Sequence, residues 1–94
     1  MVNFEWDHDK NKGNYGKHGV LFEEAVTVFA DELSLIIPDP EHSAEEERFV
    51  IMGCSSKERI LVVCHCYREA DSLIRIISAR KATNKERKQY EEGR

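Results

Sequence analysis

The 94-residue sequence has no apolar run that approaches the roughly 20 residues needed to cross a membrane. Its first residues are acidic and aromatic, which is unlike the basic and then apolar pattern of a secretory leader. The three cysteines are an odd number and lack the spacing of a disulfide framework. We therefore expect reduced thiols, a cytoplasmic protein and no membrane contact.

Several common functional motifs are also missing. There is no Walker loop, no G-x-G-x-x-G turn and no nucleophile elbow, and no internal repeat is visible. No helix-turn-helix is evident either, which makes direct DNA binding the weakest of the functions considered. The sequence thus offers no signature of nucleotide binding or of acyl transfer.

Charge is plentiful but unevenly placed. The net charge is −4, yet residues 1–56 hold 4 Lys and Arg against 12 Asp and Glu, whereas residues 57–94 hold 10 against 6. An acidic half beside a basic half is typical of a polyanion site on one side and a basic partner for the other. The alternative is that the two halves neutralise each other across the fold.

The order of apolar patterns predicts one α+β domain over residues 1–94, with an antiparallel sheet of about four to five strands, two N-terminal helices and one C-terminal helix. Short links between strands predict antiparallel neighbours, and we expect the helices on one face and a partly open second face. Expected strands are 4–6, 33–37, 48–54, 59–67 and 73–83; expected helices are 7–17, the stretch around 22–29 and 83–92; a solvated loop is expected over 38–46.

The stretch 73–83 carries the most informative cations. Arg75 lies in the middle of an apolar, β-branched strand, and Arg80 lies near its end. A buried guanidinium needs a partner, so each arginine either forms a salt bridge or lines a cleft that holds an anion. Strict alternation places the two on opposite faces, and a bulge near Ser78 or an early strand end would reunite them.

Several other side chains are candidates for the same cleft. Arg48 can face it from a neighbouring strand, or be a solvated charge at a strand end. His65 can act as a general acid or base with its ordinary pKa near 6.5, or be a core residue. Tyr90 can stack on a base or pack the last helix onto the sheet.

Basic residues outside the strands have similarly open roles. Lys17 is a candidate cation for a nucleic-acid backbone. His18 beside it is a candidate RNA contact, but a role at the C-terminal end of a helix explains it equally well. Lys81 belongs to a basic group around the last helix, either a phosphate track or a solvated face. The run Cys64-His65-Cys66 does not suit zinc, because alternation points the histidine away from the thiols. We therefore expect no metal site and no cofactor.

The sequence resembles the BrnT-type toxins of bacterial type II toxin–antitoxin systems along nearly its whole length. The matching segments are FEWD at 4–7, KHGV at 17–20, FEEA at 22–25, ERF at 47–49 and IRIISARKAT at 74–83, with Lys10, Asn14, Phe29, Gly53, Ser55, Glu86, Arg87 and Tyr90. Position 21 departs from the resemblance, since it is Leu where a capping Ser or Thr is common.

This resemblance implies a RelE-like fold, a ribonuclease toxin and a BrnA-like antitoxin that binds operator DNA. We expect a metal-independent endoribonuclease that cleaves RNA through its 2′-OH, because cations can stabilise the charge that develops on the phosphate. The residue types suggest Arg75, Arg80, His65 and Arg48 as candidate catalytic residues, and Lys17, His18, Lys81 and Tyr90 as candidate RNA contacts. The acidic half, including Glu23 and Glu24, is expected to meet the antitoxin. The alternative is a non-catalytic protein-binding module whose arginines are structural.

Overall fold

The computed structural model describes residues 2–39 and 46–93. The elements, in chain order, are β1 (Asn3–Glu5), α1 (His8–His18), α2 (Phe22–Thr27) with a 3₁₀ turn (Val28–Ala30), β2 (Leu35–Pro38), β3 (Phe49–Cys54), β4 (Ile60–Arg68), β5 (Leu73–Lys81) and α3 (Asn84–Glu92). The predicted α+β class and the order of elements are confirmed. Of the loop predicted over 38–46, Pro38 closes β2, and residues 40–45 lie outside the described part.

The strands form one five-stranded sheet in the order β1-β5-β4-β3-β2. Pairing is antiparallel from β2 through β5, but β1 runs parallel to β5. The sheet is therefore mixed rather than wholly antiparallel. Two helices and three strands connect β1 to β5, which provides the long connection that a parallel pair requires. Strand β1 lies at one edge of the sheet, and β2 lies at the other.

Helix α1 begins and ends as its sequence predicts. The Asp7 carboxylate accepts a hydrogen bond from the backbone N–H of Lys10 at 3.0 Å, which caps the first turn. The helix ends at Gly19 with φ of 69°, a left-handed conformation that glycine adopts without steric cost. Within the helix, the buried Asn14 amide donates to the carbonyls of Val20 and Ala79, and its oxygen accepts from Ala79 N–H. This side chain fastens α1 to β5.

Helix α2 lacks the usual capping side chain. Leu21 occupies the N-cap and makes no side-chain cap hydrogen bond. Instead, the Asn11 side-chain oxygen accepts from the Phe22 N–H at 2.8 Å, and its amide donates to Glu23. A residue of the preceding helix thus accepts a hydrogen bond from a buried backbone N–H at the start of α2, which explains why leucine is tolerated at position 21.

The main core lies between the sheet and the first two helices. Its buried residues are Val20, Phe22, Ala25, Val28, Ile51, Leu61, Val63, Ile74, Ile76 and Ala79. The second core, on the opposite face, joins Met52 and Val62 to Tyr90 of α3. Since Met52 and Val62 follow Ile51 and Leu61 directly, alternation assigns the two clusters to opposite faces. The expectation that all helices share one face is therefore wrong: α3 covers part of the second.

A β-bulge interrupts the pairing of β4 and β5. Cys64 pairs with Ser78 and His65 pairs with Ile76, which leaves Ile77 as an extra residue on β5. Beyond the bulge, Arg80 pairs with Val62, and before it Arg75 pairs with Cys66. Both β4 partners point to the face of the second core, so the bulge places Arg75 and Arg80 on one face.

The described residues include no helix that is both long enough and apolar enough to span a bilayer.

Candidate active site

A cavity of about 220 Å³ opens on the sheet face that carries the second core. Its lining combines two arginines and one aspartate with small and apolar side chains: Asp39, Arg48, Val50, Val62, Cys64, Ile77, Ser78 and Arg80. The cavity is smaller than most ligand pockets, but it shares with them a few polar groups that converge on an apolar floor.

Sheet register explains how the two arginines meet. Val50 pairs with Cys64 and Cys64 pairs with Ser78, so these three residues form one row across β3, β4 and β5. Arg48 lies two residues from Val50, and Arg80 lies two residues from Ser78, each on the same face as the row. The bulge at Ile77 is what turns Arg80 toward this face.

Arg80 is held by a two-pronged ion pair. Its two terminal nitrogens donate to the two oxygens of Glu86 at 2.7 and 2.9 Å. Glu86 also accepts from the Thr83 N–H at 2.9 Å, as part of a capping box that starts α3. The hydrogen bond from Arg80 lowers the pKa of Glu86 to about 2, and Glu86 in turn raises the pKa of Arg80. The guanidinium is therefore charged and fixed in orientation.

Arg48 enters the cavity from the residue before β3. Its guanidinium lies 3.8 Å from a carboxylate oxygen of Glu46, and its side chain is 32% exposed. Arg48 is half-buried, so water would only partly screen the attraction between its charge and a negatively charged ligand in the cavity. Arg48 and Arg80 together bring two cations to one small cavity.

Arg75 does not line this cavity. It shares the face, but its β4 partner lies four residues from that of Arg80, a separation of about 13 Å along the strand. Its guanidinium donates to Glu5 at 3.0 Å, and Arg68 approaches the same Glu5 oxygen at 3.8 Å. The structure thus divides the two arginines of β5 between separate environments.

His65 lies on the other face of the sheet. It is 0% exposed, its ring stands 4.9 Å from that of Phe29, and its Nε2 lies 3.3 Å from the Tyr67 hydroxyl. Burial lowers the pKa of this histidine, so it is neutral near pH 7. The structure places His65 in the main core, apart from the cavity, which corrects its expected place among the catalytic groups.

The candidate RNA contacts Lys17, His18 and Lys81 also lie outside the cavity. Lys17 is exposed and His18 half-buried in the last turn of α1. Lys81 pairs with Leu61, on the face of the main core, and lines a second cavity with Arg59 and Arg87. These cations border the sheet end where β5 finishes, and none of them reaches the Arg48 and Arg80 cavity.

Tyr90 is not available to stack on a base. It is 2% exposed within the second core, and its hydroxyl donates to the Asp31 carboxylate at 2.6 Å. The same Asp31 oxygen accepts from the Cys54 N–H at 2.8 Å. Tyr90 therefore fastens α3 to the sheet, and the expectation of an RNA contact is corrected to a structural role.

We expect Tyr90→Phe to lower the free energy of unfolding by about 1.5–3 kcal/mol, because it removes one hydrogen bond to a charged group. RNA cleavage should remain within about twofold of the wild-type rate. Urea unfolding and a cleavage assay at 25 °C check both halves. A large loss of cleavage in a stably folded Tyr90→Phe protein would contradict the structural role.

Sequence reasoning missed two polar residues of the site. Asp39 lies within a Pro-Asp-Pro segment that predicts only a strand end, yet it lines the cavity. Glu86 belongs to the capping box that starts α3, but nothing in its spacing predicts the pair with Arg80. The available signal was weak: Arg80 precedes a capping-box glutamate by six residues, across a short turn.

Cys64 and Cys66 are a partly buried and a buried thiol of β4. Cys64 faces the cavity and Cys66 is buried two residues along the same strand face, while His65 points the other way, as alternation predicts. Burial, and then the charge of Asp39, raise the pKa of the Cys64 thiol. The thiol is thus protonated near pH 7. The described residues contain no group of three or more His, Cys, Asp or Glu side chains arranged to hold a metal.

Comparison with known proteins adds two findings. The model of the family described as "Ribonuclease toxin, BrnT, of type II toxin-antitoxin system" matches residues 6–86. The 1.1 Å crystal structure of the Brucella abortus ribonuclease toxin BrnT is similar with a TM-score of 0.69 and 21% sequence identity, covering 89% of this chain and 100% of that chain. A comparison with curated proteins gave no match. At that identity the structural likeness establishes the fold.

Proposed function

This chain belongs to the BrnT family of ribonuclease toxins of type II toxin–antitoxin systems, and from that premise we propose that it is a metal-independent endoribonuclease that cleaves RNA through the 2′-OH. It would inhibit translation and growth in the cytoplasm until a BrnA-like antitoxin neutralises it. The observation that carries this proposal is the convergence of Arg48 and Arg80 on one cavity.

Two arginines suit the chemistry of this reaction. Attack of the ribose 2′-oxygen on phosphorus gathers negative charge on the phosphoryl oxygens before the 5′-oxygen leaves. A guanidinium stays protonated throughout, and its planar fork matches two phosphoryl oxygens. Both terminal nitrogens of Arg80 donate to Glu86 at 2.7 and 2.9 Å, which orients the guanidinium in advance. Its Nε–H and a second N–H of a terminal nitrogen remain to donate to a phosphate. Positive charge of this kind supports catalysis without a bound cation.

The remaining basic residues are proposed to guide the RNA strand. Arg75 lies on the same face as Arg80 and can contact a phosphate farther along the strand. Lys17, His18 and Lys81 border the opposite end of β5, where they can add sequence-independent attraction. These residues are proposed to affect binding rather than the chemical step.

The antitoxin is proposed to meet acidic surface of the N-terminal half, and operator DNA is proposed to be bound by the antitoxin. Glu23 is exposed and can serve this contact. Glu24 cannot, because its side chain is 4% exposed and is bound to Arg59 and Ser55. The expectation that both glutamates face the partner is thus reduced to Glu23.

A second candidate function has an observation in its favour. Each strand-associated arginine of the described chain forms an ion pair with a glutamate: Arg48, Arg59, Arg68, Arg75 and Arg80. Such pairing is what a non-catalytic protein-binding module with structural arginines would have. The cavity lined by two of them favours the nuclease, since purely structural pairs need no space for a ligand.

The test is cleavage of total RNA, and of a message being translated on ribosomes, by the antitoxin-free protein in EDTA. We expect cleavage of at least one of these substrates, and an Arg48→Ala protein purified in parallel controls for contaminating nucleases. Intact RNA with both substrates would refute the nuclease. Growth arrest on induction without any cleavage would then favour the binding module.

A further inference from the structure

Cleavage through the 2′-OH requires a group that removes the hydroxyl proton, and the sequence does not identify it. The group must lie within hydrogen-bond reach of a ribose whose phosphate is bound by the arginines. It must also be unprotonated near neutral pH.

Most lining side chains fail the second condition or carry no proton acceptor of use. Arg48 and Arg80 stay protonated at any physiological pH. The Cys64 thiol is protonated, because burial raises its pKa. Ser78 has a neutral hydroxyl, and Val50, Val62 and Ile77 are apolar. Asp39 is the one lining residue, among those that the structure describes, that presents a carboxylate.

The position of Asp39 is fixed by the sheet. Its backbone N–H donates to the Arg48 carbonyl at 2.9 Å, directly beyond the pairing of Pro38 with Phe49. The residue is half-buried, and so is Arg48 opposite it. Since the backbone is held at this point, the carboxylate has a short tether to the cavity rather than a long, freely moving one.

Strand alternation puts Asp39 on the face of the cavity, because Ile37, two residues earlier, pairs with Val50. The charge of Asp39 raises the pKa of the Cys64 thiol, and the charge of Arg48 lowers it. The charged and titratable groups that face Asp39 are Arg48 from the start of β3, Cys64 from β4 and Arg80 from β5, with Glu46 beside Arg48. Two arginines thus share the cavity lining with Asp39.

We propose that Asp39 is the general base of the nuclease, an inference that rests on the function proposed above. A carboxylate oxygen of Asp39 takes the proton of the 2′-OH while the 2′-oxygen forms its bond to phosphorus. The bond from phosphorus to the 5′-oxygen then breaks, and solvent water protonates the leaving oxygen. The products are a 2′,3′-cyclic phosphate and a 5′-hydroxyl, and Asp39 returns its proton to solvent.

The test compares Asp39→Asn with the wild-type protein on an RNA oligonucleotide in EDTA. We expect kcat to fall about 10²–10⁴-fold, while the Kd for an uncleavable 2′-deoxy oligonucleotide stays equal or becomes tighter. The rate of the wild type should fall as acid protonates carboxylates, and this acid limb should disappear in the residual activity of Asp39→Asn. Asp39→Glu keeps a carboxylate and should retain the limb at a reduced rate.

Asp71→Asn is the matched control, since it makes the same change at an exposed residue away from the cavity. An Asp39→Asn protein that keeps wild-type kcat, or that loses oligonucleotide binding in proportion to its rate, would overturn the assignment. If Asp39→Asn does not fold, Asp39→Glu replaces it in the test. A folded Asp39→Glu protein whose cleavage rate does not fall in acid would overturn the assignment. An inert wild type would instead refute the nuclease itself.

Discussion

Arg80→Ala should lower kcat for RNA cleavage by about 10²–10³-fold, the usual cost of removing one group that stabilises developing charge. The reason is that Arg80 brings a pre-oriented guanidinium to the cavity, held by Glu86 at 2.7 and 2.9 Å. The fold should survive the change. The side chains of the pair are 42% and 26% exposed, so solvent screens much of its contribution to stability. Single-turnover cleavage of an RNA oligonucleotide measures the effect.

Two further arginine variants make this result specific. Arg80→Lys keeps the charge but loses the planar fork, so its rate should fall between those of Arg80→Ala and the wild type. Arg75→Ala removes an arginine from the same strand and face, but outside the cavity. It should raise KM and leave kcat within about twofold. Equal losses of kcat in Arg75→Ala and Arg80→Ala would contradict the claim that only Arg80 acts in the chemical step.

Arg59→Ala should destabilise the protein more than any other single change considered, by about 3 kcal/mol. Arg59 donates from Nε to Glu24 at 2.9 Å, and from a terminal nitrogen both to Glu24 and to the Gly19 carbonyl. The Glu24 side chain is 4% exposed, so loss of its partner leaves a buried negative charge. Urea unfolding at pH 7 measures the change.

Two controls bracket that value. Lys57→Ala removes an exposed cation nearby and should change stability by less than about 0.5 kcal/mol. Glu24→Gln in the Arg59→Ala background removes the buried charge and should restore part of the loss, because the neutral amide tolerates burial better. Arg59→Ala with a stability equal to that of Lys57→Ala would show that Glu24 is solvated.

The carboxyls of Glu24 and Glu86 determine how the stability of the fold responds to acid. Hydrogen bonds from Arg59 and Arg80 hold the pKa values of Glu24 and Glu86 below the ordinary 4.5, that of Glu86 at about 2. A lowered folded-state pKa contributes stability that is complete above the unfolded value and is lost as the pH falls through the folded value. Stability should therefore decline from about pH 4.5 toward pH 2 in this chain, and less steeply in Arg59→Ala.

Local signals in the sequence predicted most of the fold. Asp7 and Gly19 at the ends of α1, and Thr83 with Glu86 at the start of α3, act through contacts within a few residues, which is why spacing reveals them. The strands follow from alternation of side chains. By contrast, the side of the sheet on which α3 packs depends on Tyr90 meeting Met52 and Val62, which no local pattern encodes.

The candidate site was predicted less completely, for a similar reason. Whether Arg75 and Arg80 share a face depends on a one-residue bulge at Ile77, and a sequence does not show strand register. Alternation correctly placed His65 and Cys64 on opposite faces of the sheet, but it did not show which face the first helices cover. Asp39 enters the site only through the pairing of β2 with β3. Each of these features depends on contacts between distant segments.

The measurement that tests the central claim most directly is the chemistry of the ends produced when the wild-type protein cuts RNA in EDTA. Transfer to the 2′-oxygen leaves a 2′,3′-cyclic phosphate and a 5′-hydroxyl, and a single 2′-deoxy substitution at the cut blocks cleavage. We expect both results from a cavity in which Arg48 and Arg80 bind the phosphate. Ends carrying a 5′-phosphate, or cleavage that continues at the 2′-deoxy position, would contradict the account.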